Sequence, residues 1–77
     1  MSEFVADVLV DARRLLCPMP VIRTQAAVRA LTAGQYVEVL ATDPGALHDI
    51  PAWCRLQGHE YVGCVHDGRE LRLRLKV

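Results

Sequence analysis

Leu15-Leu16-Cys17-Pro18-Met19-Pro20 is the stretch that decides how this chain folds, because a cysteine followed by prolines at alternate positions, directly before an apolar-periodic run, marks a helix start. Proline suits a first helical turn: its φ is already helix-compatible, and its missing N–H would have had no intrahelical partner. The helix is therefore predicted to begin at Cys17 or Pro18 and to run to about Ala33. Cys17 then falls at or beside the N-cap. With Pro18 and Pro20 lacking donors, the amides of Met19 and Val21 are left to face the sulfur. Together with the positive helix end they are expected to favour thiolate and to hold Cys17 below the free-cysteine titration range. The competing reading is a Cys that merely packs as a small hydrophobe. A buried thiol does not call for a rigid, donor-poor turn after it, so Cys17 is the candidate working atom.

Beyond Pro20, Val21, Thr24, Val28 and Leu31 recur at spacings of three and four with Ala27 beside them, which is one apolar helix face. Arg23, Gln25 and Arg29 lie off it, and Gly34 is read as the residue just past the helix end. On the N-terminal side, Val5 to Asp11 alternates as a strand, and Ala12 to Leu16 delivers Cys17 to the helix. Gln35 to Ala41 is a second strand, with Val37 and Val39 on one side and Tyr36, Glu38 and Leu40 on the other. Thr42-Asp43-Pro44-Gly45 is a turn in which Asp43 signals a second helix. Pro51 would remove an internal hydrogen bond from an unbroken helix, so a kink or restart is expected there, with Asp49 capping the new segment and Gly58 closing it. Glu60 to His66 is a third strand, and Asp67-Gly68 signals a two-residue type I′ hairpin. Leu71, Leu73, Leu75 and Val77 then alternate with Arg72, Arg74 and Lys76, giving the clearest strand of the chain an apolar face and a cationic row. The order β-α-β-α-β-β predicts an α/β two-layer sandwich, a four-stranded mixed sheet with both helices on one face and the other face wet.

At 77 residues, 52% hydrophobic and 23% charged, residues 1–77 make one small globular domain, monomeric or weakly oligomeric. Nine basic residues balance nine acidic ones, so charge gives no warrant for a general nucleic-acid or membrane binder. No apolar run approaches the roughly 20 residues of a membrane-spanning helix. Cys17, Cys54 and Cys64 are an odd number, and Met1-Ser2-Glu3-Phe4 lacks the basic and apolar regions of a signal peptide, so a cytoplasmic protein with free thiols is expected.

The chemistry narrows by residue type. A Cys-x-x-Cys redox pair would need a thiol where Pro20 stands. His48, His59 and His66 form no recognisable motif with Cys17, so none is assigned as its base. Paired close ligands for a metal are lacking, so no metal and no cofactor are assigned. Cys54 and Cys64 are read as packing residues, and Trp53 as core. One activated thiol without resolving thiol, base or metal suits accepting and donating a group: it can attack a persulfide and keep the terminal sulfur, by the displacement chemistry of thiol–disulfide exchange. Two readings of other classes stand beside this carrier: a non-catalytic interaction or regulatory domain using the Arg72, Arg74 and Lys76 face, and a thiol redox sensor.

Cys17-Pro18-Met19-Pro20 resembles the Cys-Pro-x-Pro motif of the TusA, or SirA-like, family of sulfur carrier proteins. Asp11, Leu15, Gly34, Asp43-Pro44, Asp49-Ile50-Pro51, Trp53 and Gly58-His59 also match that family's pattern, so the likeness covers nearly the whole chain. It implies a sandwich similar to the C-terminal domain of translation initiation factor three and a persulfide on Cys17. From the residues themselves, Pro18 and Pro20 are expected to orient the thiol, and Arg14, Met19 and Arg23 are the candidate partner contacts. The resemblance also implies a donor (a cysteine desulfurase or rhodanese-like protein) and an acceptor in tRNA thiolation, molybdenum-cofactor synthesis or sulfur oxidation, the chain being a relay protein rather than a free-standing enzyme. One departure is Arg14, where the family usually has Gly. Either it strains a positive-φ turn or it places a cation beside the sulfur.

Overall fold

The alternating C-terminal segment becomes a strand with a neighbour on each side, and the sheet is built around it. A computed structural model describes residues 4–77 and gives the order β1 (Val8–Ala12), α1 (Met19–Val28), β2 (Tyr36–Ala41), α2 (Ala46–Gln57), β3 (Glu60–Asp67) and β4 (Glu70–Lys76). The strands lie in the order β1-β2-β4-β3, with β1 and β2 parallel and the other pairs antiparallel. Val10, Ala12, Val37, Val39, Ala41, Leu71, Leu73 and Leu75 are buried on one face beneath Ala46, Ile50, Trp53 and Cys54 of α2. From α1, Pro20 and Thr24 are buried, and Val21, Ala27 and Val28 pack beside them. The predicted two-layer sandwich and the helical core stripe are thus both present.

Several boundaries differ, each for a local reason. The first strand is Val8–Ala12 and not Val5 to Asp11, because Ala12 pairs with Ala41 in the core. Asp7 instead ties the approach down: its amide donates to the Tyr36 carbonyl and its carboxylate accepts the Tyr36 N–H, each at 2.8 Å. The first helix ends at Val28, short of Ala33, because the amides of Ala30 and Leu31 turn to carbonyls three residues back and return Leu31 to the core. Gly34 is therefore no helix cap; at φ +94° it turns the chain into β2, and its amide donates to the Val77 carbonyl at 2.6 Å.

Pro51 lies inside an uninterrupted α2 and does not force a restart. Burial of Ile50, Trp53 and Cys54 around it holds the helix together and outweighs the one backbone bond that proline cannot make. Asp49 consequently caps nothing; it sits in the first turn of α2, and Gly58, at φ +79°, closes the helix as expected. Trp53 is core, 8% exposed, with its ring 5.0 Å from that of His59. The last hairpin loop is Gly68-Arg69, since Asp67 already pairs with Glu70. Only Gly68 of the two has positive φ, the pattern of a type II′ loop and not of type I′.

The second face of the sheet is less wet than its alternation suggests. Glu38, 7% exposed, is gripped by Arg72 at 3.1 Å and by Arg74 at 2.8 Å from the neighbouring strand. Two of the three cations in the row are thereby spent on an internal charge, and Lys76 lies 5.7 Å from the Tyr36 ring. Removing one member of a shielded cluster strands the others. Glu38→Ala is therefore expected to lower stability by about 2 kcal/mol, read as an earlier urea midpoint, whereas an unchanged midpoint would show the cluster to be merely superficial.

Candidate functional site

Cys17 is delivered by a short loop held at three points. The Leu15 amide donates to the Ala12 carbonyl at 3.3 Å, the Arg14 amide to Thr42 Oγ1 at 2.8 Å, and the Cys17 amide to Asp43 Oδ2 at 2.8 Å. Asp43 also accepts the Gly45 N–H on Oδ1 at 3.3 Å, so one carboxylate joins the Cys17 loop to the start of α2. At Gly45 an added Cβ would stand 3.4 Å from both the Cys17 Cβ and Asp43 Oδ2, so the glycine permits this close approach. The thiol thus lies where the first turns of both helices meet, beyond the C-terminal ends of the parallel strands.

Arg14 adopts φ +67°, the left-handed conformation that a non-glycine side chain disfavours. The strain reading of this residue holds. Arg14→Gly keeps the backbone bond to Thr42 and relieves the strain, though a freer unfolded chain offsets part of the gain. A net stabilisation of about 0.5 kcal/mol is expected, seen as a later urea midpoint; a fall would mean that the Arg14 side chain contributes more than the strain costs.

The expectation of a low-titrating thiol is overturned. Cys17 Sγ donates a hydrogen bond to Asp49 Oδ2 of α2. That bond, followed by desolvation and by the charges of Asp49 and Asp43, pushes the thiol above its usual value. The helix starts one residue later than the sulfur needs, with Pro18 as its N-cap, and the Met19 amide is spent on the Leu16 carbonyl at 2.8 Å. A helix end supplies only about half a positive charge, which two nearby carboxylates outweigh. The charges that act on the sulfur, those of Asp49 and Asp43, are both negative.

Around the exposed Cys17 the surface is apolar, with Leu16 74%, Met19 41% and Ile22 48% exposed. Arg23 reaches back to the Asp11 carbonyl at 3.4 Å. Arg13 grips Asp11 with two bonds of 2.9 Å, holding that carboxyl at about 2. Asp11, Arg13, Arg14, Thr42 and Glu70 line an open cleft of about 490 Å³ on the flank of the loop. Of the residues singled out from sequence, Cys17, Pro18 and Met19 are together at the surface, and Arg14 and Arg23 flank them on separate contacts. Pro20 is fully buried, so any influence it has on the thiol is exerted from within. Sequence order marks Asp43 and Asp49 as helix signals and as part of the family pattern, not as site residues, and gives Leu16 and Ile22 no role at the site. The Asp-Pro and Asp-Ile-Pro signatures mark both acids, but nothing in the linear order places Asp49, 32 residues away, against Cys17.

The other thiols are withdrawn. Cys54 is wholly buried, and burial pushes it up to about 11; Cys64 is partly buried and raised by the same cause. Among the described residues no group of three or more His, Cys, Asp or Glu is placed to hold a metal ion, and no helix is long and apolar enough to cross a membrane.

The family model described as Sulfurtransferase TusA matches residues 8–77. YrkF of Bacillus subtilis is 42% identical over 67 residues, 87% of this chain but only 36% of YrkF's own length. Sulfur carrier protein TusA of Pseudomonas putida strain W619 is 45% identical over 60 residues, covering 78% of this chain and 75% of that protein. The sulfur carrier protein TusA of Allochromatium vinosum is 33% identical over 76 residues, 99% of this chain and 97% of that protein. In fold, the crystal structure of a SirA-like protein from Desulfitobacterium hafniense superposes with a TM-score of 0.81 at 24% identity, over 91% of this chain and 96% of that one. With its exposed thiol at the joined helix starts and a family match running from β1 to the last residue, this chain belongs to the TusA sulfurtransferase family.

Proposed function

We propose that the chain is a sulfur carrier that holds sulfane sulfur as a persulfide on Cys17. The observation that carries this reading is the contrast between thiols: Cys17 is exposed within an apolar rim, while Cys54 and Cys64 are withdrawn. Relatives named sulfur carrier protein support it. In loading, Sγ of Cys17 bonds the terminal sulfur of a donor persulfide, the donor's S–S bond breaks with its electron pair on the donor cysteine, and that sulfur takes up the proton Cys17 gives. No net oxidation occurs, so the step needs no cofactor.

Leu16, Met19 and Ile22 supply apolar contact area, and Arg14 and Arg23 supply cations at its margin. Pro18 caps α1 immediately after the sulfur, and buried Pro20 stiffens the turn behind it. A cysteine desulfurase or rhodanese-like protein is the donor class that fits such a surface, and an acceptor cysteine of tRNA thiolation, molybdenum-cofactor synthesis or sulfur oxidation is the outlet. A reducing compartment such as the cytoplasm suits a carrier that must keep its thiol free. The chain acts here as the substrate of two partners rather than turning over by itself. The interaction-domain alternative has lost much of its support, since Arg72 and Arg74 are engaged by Glu38. The sensor alternative lacks a resolving thiol at Cys17, whose hydrogen-bond partner is a carboxylate.

Peptide-level mass spectrometry after incubation with a persulfide donor tests the proposal. One added sulfur on the Cys17 peptide is the expected result. Sulfur found only on Cys54 or Cys64, or on no cysteine, would overturn it.

A further inference from the structure

The bond between Cys17 and Asp49 treats the empty and the loaded carrier differently. An empty Cys17 is a neutral thiol that donates its proton to Asp49 Oδ2. A persulfide is more acidic than its parent thiol, so as pH rises the loaded group becomes an anion, with no proton to donate, before the empty thiol does. It would then stand beside two carboxylates. The charged groups that face the sulfur are Asp49 from α2 and Asp43 from the turn before it. The cations on the sulfur's own segment are Arg14 and Arg23, and the Arg23 guanidinium is turned to the Asp11 carbonyl.

Resting on the reading of Cys17 as the sulfur-bearing atom, we propose that Asp49 is the positioning residue of the carrier: it holds the empty thiol against α2 and, once sulfur is loaded, repels the persulfide anion away from α2 toward the acceptor. Hand-off then follows charge. An acceptor thiol attacks the terminal sulfur, the bond between that sulfur and Sγ breaks with its electron pair on Sγ, and the acceptor's proton ends on Sγ. The negative charge leaves with the acceptor's new persulfide. Cys17 regains the proton it donates to Asp49, so Asp49 favours both release of sulfur and return of the empty state. The usual role for an acid in a first helical turn is to complement the helix end. That role alone would leave sulfur exchange untouched.

The test is an exchange equilibrium. The persulfidated protein is mixed with reduced glutathione at fixed ratios, and the sulfur remaining on Cys17 is measured across a pH series for the parent and for Asp49→Asn. Asn keeps the size and can donate an N–H to the persulfide anion. The variant should retain sulfur more strongly, by about fivefold once the loaded group is an anion, the factor for one unit charge removed at close range in a watery setting. At acid pH, where the loaded group is neutral, parent and variant should converge. Independently of any sulfur, the pH midpoint for alkylation of Cys17 should fall in the variant. Asp49→Ser repeats both measurements should Asn disturb the start of α2, and circular dichroism checks that each variant is folded. Equal retention across the pH series, or a gap that persists unchanged into acid, would overturn the proposal. A parent Cys17 that never loads would instead refute the carrier reading, leaving the alkylation midpoint to report on Asp49 alone.

Discussion

Cys17→Ser is expected to abolish sulfur loading completely while leaving the fold in place. Serine cannot form the S–S bond, but its hydroxyl can still donate to Asp49, and the Cys17 amide keeps its bond to Asp43. The side chain is exposed, so no cavity opens, and stability should stay within about 0.5 kcal/mol of the parent. The matching substitutions elsewhere act oppositely. Cys54→Ser puts a hydroxyl into a site with no exposure and should destabilise without touching the loading chemistry. The measurement is mass gain after donor treatment, paired with a urea titration of each variant. Residual loading of the Cys17→Ser protein would mean that another thiol carries sulfur, against the burial that keeps Cys54 at about 11.

The second large effect belongs to Ile50, which is wholly buried beneath the sheet and adjacent in the chain to Asp49. Ile50→Ala removes buried carbons and leaves a cavity, at a cost of about 3 kcal/mol. A 77-residue domain commonly has a stability of about 4–12 kcal/mol, so this loss is a large share of the whole. It should also reach the site. Asp49 is held toward Cys17 by the seating of the first turn of α2, and loosening that turn weakens its hold on the thiol. A urea midpoint displaced strongly downward is expected, together with a lower pH midpoint for Cys17 alkylation under native conditions. A shift in stability with no change in alkylation would show that the first turn of α2 keeps its place without Ile50.

Much of this protein is determined by the order of its residues alone. Leu71, Leu73 and Leu75 alternate because a half-buried strand has period two, and Val21, Thr24 and Val28 recur as they do because a helix has period 3.6. The exposure of Cys17 ahead of α1 was also legible, since Cys-Pro-x-Pro before a helical stripe is a local signal. Helix ends and turn types were less so: whether α2 survives Pro51 depends on the burial of Ile50, Trp53 and Cys54, which is a property of packing. What only the tertiary structure decided is the electrostatic character of the site. Local sequence argued from one helix end and its half charge to an acidified thiol. Folding instead brings Asp49 of α2 and Asp43 of the turn before it against the sulfur, and the hydrogen bond to Asp49, with desolvation and the two negative charges behind it, reverses the sign. The cationic row changed in the same way, because strand register set Glu38 between Arg72 and Arg74. Periodicity is a short-range property that the chain carries along its length, whereas the field at a side chain sums over neighbours that only folding brings together.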